Sequence, residues 1–155
     1  MNTQNLFLFP VPRHIVFESG LWLKPNQLSV QISPSSLLDQ GGRESMIIHR
    51  LLEITSMPFA AVDREQEHKP AFSFKYNGQI SEQGYHLSIQ ENGVTIEYAD
   101  LAGLNYSLIT LKQIYNQCSN TIPYLKIKDA PDLKVRGLML DIGRDKIPLC
   151  TRCID

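Results

Sequence analysis

The stretch Tyr85-His86-Leu87-Ser88-Ile89-Gln90-Glu91-Asn92-Gly93-Val94-Thr95-Ile96-Glu97-Tyr98 decides the fold. Apolar and polar side chains alternate on both sides of Glu91-Asn92-Gly93, the two-residue period of a strand with one buried face. Asn-Gly tolerates the positive φ angles that a tight turn demands, so the stretch predicts a β-hairpin.

Downstream, Leu104, Leu108, Leu111 and Tyr115 recur at helical spacing with Ile114 beside them, which predicts an amphipathic helix over about Gly103–Cys118. Tyr124–Lys128 alternates again as a strand. Upstream, Phe72–Tyr76 is a strand closed by Asn77-Gly78, and His14–Phe17 and Leu28–Ile32 are two more. Gly20 and Lys24-Pro25-Asn26 read as the punctuation between those two. Ser33-Pro34-Ser35-Ser36 breaks the chain. After Gly41-Gly42, a helix over Arg43–Thr55 carries Ile47, Ile48, Leu51 and Leu52 on one stripe. Met57-Pro58 ends it, because the residue before a proline is pushed out of the α region. The charged segment Asp63–Lys69 reads as a solvated loop.

With 155 residues, 43% hydrophobic and 20% charged, the chain has the composition of an ordinary globular domain rather than of a disordered or collagen-like one. At that length a core forms without disulfides or metal staples. Fifteen Lys+Arg against sixteen Asp+Glu leave a formal charge of −1, so no strong field draws nucleic acid or an anionic membrane. The longest apolar runs fall far short of a bilayer span. No Lys or Arg precedes Arg13, so the charged start of a secretory signal is missing, and three cysteines are too few for a disulfide framework. The expectation is a cytoplasmic protein, with a secreted parent stripped of its leader as the alternative.

Catalytic and metal motifs are sparse. His14, His49, His68 and His86 are scattered, and none has a second His four residues on as in a zinc helix. Cys150-Thr151-Arg152-Cys153 has C-x-x-C spacing but no second pair to complete a tetrahedral site. No Gly-x-Ser-x-Gly elbow, P-loop or dinucleotide fingerprint occurs. No cofactor or metal is expected.

At Asp129-Ala130-Pro131-Asp132 the chain changes character, with turn residues in a linker arrangement. The apolar run Val135–Ile142 follows and ends in Gly143-Arg144-Asp145, as a buried parallel strand ends when it delivers polar groups to its C-terminal edge. Within it, the Arg136 guanidinium is able to fork onto paired hydroxyls or a carboxylate. Asp141 and Arg144, three residues apart, either pair to close the strand end or serve a site.

Gly103-Leu104-Asn105-Tyr106, Thr110-Leu111-Lys112-Gln113, Asp129-Ala130-Pro131 and Arg136-Gly137-Leu138-Met139-Leu140-Asp141 with Arg144 occur in that order. The run resembles the junction between the N-terminal accessory domain and the catalytic barrel of family 20 glycoside hydrolases, the β-N-acetylhexosaminidases. The resemblance implies an α+β fold, an antiparallel-rich β-sheet with two helices packed on one face. An accessory domain over residues 1–128 would be followed by a linker and the first strand of a truncated (β/α)8 barrel over 129–155. It also implies that Arg136 binds hydroxyls of a terminal N-acetylhexosamine, while Asp141 and Arg144 are structural at the strand end. In such enzymes the substrate's acetamido oxygen attacks the anomeric carbon, and an adjacent Asp-Glu pair orients it and supplies the acid/base.

No Asp-Glu dipeptide occurs in the 155 residues, and Asp145-Lys146 stands where the family commonly has a His-aromatic pair. The expected role is therefore a non-catalytic scaffold for the parent's barrel, inactive alone, with glycans bearing N-acetylhexosamine met through the whole enzyme. An apolar face should lie exposed where the barrel belongs, with a risk of homodimerisation through it. The alternative is a free-standing module that binds a carbohydrate or a protein.

Overall fold

The computed structural model describes residues 6–33, 40–62, 70–135 and 137. Seven strands and two helices follow in the order β1 (His14–Leu23), β2 (Leu28–Ile32), α1 (Gln40–Thr55), β3 (Phe59–Val62), β4 (Phe72–Tyr76), β5 (Tyr85–Gln90), β6 (Gly93–Tyr98), α2 (Leu101–Gln117) and β7 (Thr121–Asp129). The strands form one sheet in the order β1-β7-β5-β6-β4-β2-β3.

The predicted hairpin lies at its centre. β5 and β6 pair antiparallel from Tyr85 with Tyr98 to Gln90 with Gly93. Gly93 takes the positive φ, +114°, and a Cβ there would stand 2.6 Å from the Ala71 carbonyl oxygen. That oxygen accepts from the Val94 amide, so the turn is drawn tightly against the start of β4.

The sheet is mixed rather than antiparallel-rich. β1, β7, β5 and β6 pair antiparallel, whereas β6, β4, β2 and β3 pair parallel. The reason is topological. A parallel neighbour needs a crossover, and α1 supplies one between β2 and β3. The sequence pattern missed β3, whose four residues Phe59-Ala60-Ala61-Val62 carry no alternation to read. Helix α1 also begins earlier than expected and includes Gly41-Gly42 rather than starting after them.

Core-facing residues come from alternate positions of the strands. Leu28 and Val30, Phe72 and Phe74, Leu87 and Ile89, Val94 and Ile96, and Leu125 and Ile127 are buried beneath Ile47 and Leu51 of α1 and Leu104, Leu108, Leu111 and Ile114 of α2. Of the expected α1 stripe, Ile47 and Leu51 are buried, while Ile48 and Leu52 are half-buried at its margin. The two helices contact each other and the strands below them, so they share one face of the sheet.

Gly20 does not separate two strands but lies inside β1. The register with β7 slips between Phe17 and Leu21, and Gly20 takes φ +131° with the Tyr124 ring pressed over it. Only a residue without Cβ accommodates both the angle and the ring.

At one end of the core Trp22, Phe72 and Tyr115 form a ring cluster with centroids 5.8–6.4 Å apart. Lys24 seals that end. Its ammonium donates to the carbonyls of Tyr115 and Cys118 at 3.0 and 2.6 Å, satisfying acceptors left over at the C-terminus of α2, and lies 4.3 Å from the Tyr115 ring centroid. Among the described residues the buried Tyr115 hydroxyl has no hydrogen-bond partner. Tyr115→Phe keeps the ring contacts and removes an unsatisfied polar group, so it should leave stability unchanged or raise it by about 1 kcal/mol in urea unfolding. A loss of stability would show that the hydroxyl is satisfied.

The opposite face of the sheet is polar over its central strands, while Val16, Leu21 and Leu23 lie exposed along its β1 edge. His86 pairs in register with Lys128 of β7 and Glu97 of β6, and His14 of β1 lies beyond Lys128. Partial burial and the Lys128 charge hold the His86 pKa below its usual value, against the pull of Glu97. A depressed folded-state pKa means that the unfolded chain binds the proton more readily, so stability falls as pH drops below about 6.5. His86→Gln should flatten that segment of a stability–pH profile measured by thermal melting.

Candidate docking corner

The residues of the family-like run come together along α2, and each has a mechanical part. Asp100 caps the helix: its carboxylate accepts from the Gly103 amide at 2.9 Å and from the Gln83 amide at 2.7 Å. The cap thus ties the helix start to the loop before β5. Gly103 rests on that loop so closely that a Cβ would stand 2.2 Å from the Gly84 carbonyl oxygen.

Two turns on, Thr110 meets the Tyr85 hydroxyl at 2.7 Å, and that hydroxyl donates to Asp129 Oδ2 at 3.3 Å. Burial, with the Asp129 carboxylate adding to it, pushes the Tyr85 phenol well above its usual pKa and keeps it a neutral donor. Asp129 Oδ1 accepts from the Arg13 amide at 3.1 Å, and the Arg13 guanidinium pairs with Asp132. Helix, hairpin, final strand and N-terminal segment are therefore joined through one short chain of hydrogen bonds.

Gln113 and Gln117 hold the segment that precedes Arg13. Gln113 accepts from the Phe9 amide at 2.8 Å and donates to its carbonyl at 2.9 Å, while Gln117 does the same for Phe7 at 2.8 and 2.7 Å. Four residues of helix rise about 6 Å and two residues of strand about 6.6 Å, so glutamines at i and i+4 match the repeat of an extended chain. The amide side chains stand in for a neighbouring strand. Leu8 is consequently turned into the core at 8% exposure, while Phe7 and Phe9 are 82% and 85% exposed.

Beyond Asp129 the chain is tied back to the loop before β5. The Lys134 carbonyl accepts from Gln83 at 3.0 Å, and its ammonium pairs with Glu82 at 2.6 Å. Leu133 and Val135 are exposed there.

Arg136, Asp141 and Arg144 lie outside the described residues, as do the expected barrel strand, the C-x-x-C cysteines and His68. His14, His49 and His86 fall on β1, α1 and β5, and among the described residues no three His, Cys, Asp or Glu side chains gather to hold a metal. Cys118 is buried at the end of α2, and burial pushes its thiol pKa up, which disfavours the thiolate. The glutamine clips escaped the sequence reading because their partners lie more than a hundred positions away; the i, i+4 spacing of Gln113 and Gln117 was the one available sign.

The sharpest test of the joint is Gly103→Ala. The added methyl meets backbone, which yields little, so the variant should lose about 2 kcal/mol or more in denaturant unfolding. A change below a few tenths would mean that α2 is free to shift.

Residues 5–130 match the model of glycosyl hydrolase family 20, domain 2. The N,N'-diacetylchitobiase of Vibrio harveyi is 33% identical over 72 residues, 45% of this chain and 8% of that protein. A β-N-acetylhexosaminidase of Cellulomonas fimi is 32% identical over 66 residues, 41% of this chain and 13% of that one. This chain therefore spans only about a tenth of the length of the curated relatives it matches. Among solved structures, the Flavobacterium johnsoniae chitobiase superposes with a TM-score of 0.66 at 27% identity, covering 91% of this chain and 23% of that one. The Bacteroides fragilis β-N-acetylhexosaminidase gives 0.66 at 23%, covering 83% and 26%, a likeness of fold. With a match that runs from residue 5 to residue 130, across all nine elements described above, the chain belongs to the domain 2 family of the family 20 glycosyl hydrolases.

Proposed function

We propose that this domain is the non-catalytic scaffold of a β-N-acetylhexosaminidase-like enzyme, seating a catalytic barrel that follows residue 135 and hydrolyses terminal N-acetylhexosamine from glycans. The observation that supports it best is the use made of the family-like residues. Gly103, Thr110, Gln113 and Asp129 all serve to join α2 to its neighbours, and the joint ends where the chain leaves the sheet. Residues spent in this way are chemistry of position, not of turnover.

In the same reading Arg136 holds hydroxyls of the terminal sugar, while Asp141 and Arg144 brace the end of the first barrel strand. The reaction is the substrate-assisted, retaining one, with the acetamido oxygen as internal nucleophile and an Asp-Glu pair supplied by the barrel.

The test is turnover of a chromogenic N-acetylglucosaminide. The 155-residue chain alone should show none above buffer, and chitobiose should not raise its melting temperature. A protein in which these residues run on into a complete barrel should hydrolyse the substrate, and Arg136→Ala in it should lower kcat/KM roughly a hundredfold, as expected when charge-assisted hydrogen bonds to a substrate are lost. Turnover by the short chain, or saturable chitobiose binding to it, would replace the scaffold with an enzyme or a sugar-binding module.

A further inference from the structure

We infer that Gln83 is a positioning residue for sugar binding: its side-chain amide holds the Lys134 carbonyl and so sets the backbone from which Arg136 reaches the substrate. The inference rests on the role given to Arg136 above and names what holds the chain just before it.

The base of Gln83 is fixed on both sides. Its own amide donates to Asp100 Oδ2 at 2.7 Å, from the same carboxylate that caps α2. The next amide, of Gly84, donates to the Ser81 carbonyl at 2.8 Å. The Gly84 carbonyl accepts from the Ala99 amide at 3.2 Å and lies against Gly103. Gln83 itself takes φ +60°, in the left-handed region that residues with a Cβ rarely adopt. A backbone persists there only when its surroundings over-determine it. From that half-buried position the side chain donates through Nε2 to the Lys134 carbonyl at 3.0 Å.

Among the described residues, that bond is the last hold on the outgoing chain. Before it, Arg13 holds Asp129 and Asp132. After it, Val135 is exposed, and at Gly137 nothing lies within 4 Å of the place a Cβ would take. Arg136 comes between the two. Two residues of chain span at most about 7 Å, so a carbonyl fixed at Lys134 limits where the Arg136 side chain begins. A guanidinium that forks onto paired hydroxyls depends on that origin, because displacing a substrate-holding group by about 1 Å costs a large part of its effect.

The neighbouring contact does less. Glu82 pairs with the Lys134 ammonium at 2.6 Å, but both side chains are exposed, where an ion pair is worth little. It also grips the tip of a flexible four-carbon stem, whereas Gln83 grips the backbone itself.

The experiment is a double-mutant cycle on N-acetylglucosaminide hydrolysis by the enzyme carrying the barrel, with Gln83→Ala, Arg136→Ala and both together. Gln83→Ala should lower kcat/KM about fivefold, mainly through KM. It should add nothing once Arg136→Ala is in place, because both act through one contact. Glu82→Gln should change kcat/KM by less than about twofold. Gln83→Gly separates the role from stability, since it removes the amide but relieves the left-handed backbone. The 155-residue chain should then melt no lower than wild type, while the enzyme loses the same factor of about five. A residue that only supported the fold would move stability and activity together.

Unchanged kcat/KM in the Gln83 variants of an enzyme that Arg136→Ala cripples would overturn the inference and leave the Arg136 reading intact. So would an equal loss in the Arg136→Ala background, a Glu82→Gln loss as large, or a Gln83→Gly chain that melts lower. An Arg136→Ala enzyme with full activity would instead remove the reading on which the inference rests.

Discussion

Everything above the sheet is positioned by the contact between Gly103 and the Gly84 carbonyl. A helix with any side chain at that point would ride higher, and the buried row Leu104, Leu108 and Leu111 would no longer reach the central hairpin. The height of α2 in turn determines whether Thr110 meets the Tyr85 hydroxyl and whether Gln113 and Gln117 reach an extended chain at the helix's side. One missing methylene therefore governs a core, a hydrogen-bond chain and a surface.

In the scaffold reading, the link from that core to function is mechanical. Apolar burial in a domain of this size is largely offset by chain entropy, and only a small net stability remains. A domain that must hold a neighbour needs its termini fixed more firmly than its average residue. Here the first described segment is fastened to α2 by amide side chains, and the end of β7 is joined to it through Asp129, Tyr85 and Thr110.

Local chemistry made the hairpin, both helices and four of the flanking strands legible, since period-two alternation and i, i+4 stripes survive in any context. β3 was not legible, because a short parallel edge strand is defined by its partners rather than by its own residues. Gly20 was misread for a related reason. A glycine marks an unusual φ, and only the ring of Tyr124 distinguishes a bulge inside a strand from a break between two. The joint was half legible: the family-like spacing of Gly103, Thr110, Gln113 and Asp129 marked the residues, but the partners Gly84, Tyr85, Phe9 and Arg13 come from distant points of the chain.

The irregularity around Gly20 has a bearing on solubility. β1 is an outermost strand, and Val16, Leu21 and Leu23 leave it oily on the outside. Its ladder with β7 is interrupted between Phe17 and Leu21, so an incoming stranger meets two short rungs separated by a kink instead of ten residues of straight backbone. A deformation that looks like a flaw in the weave is thus the hem that keeps the fabric from being extended.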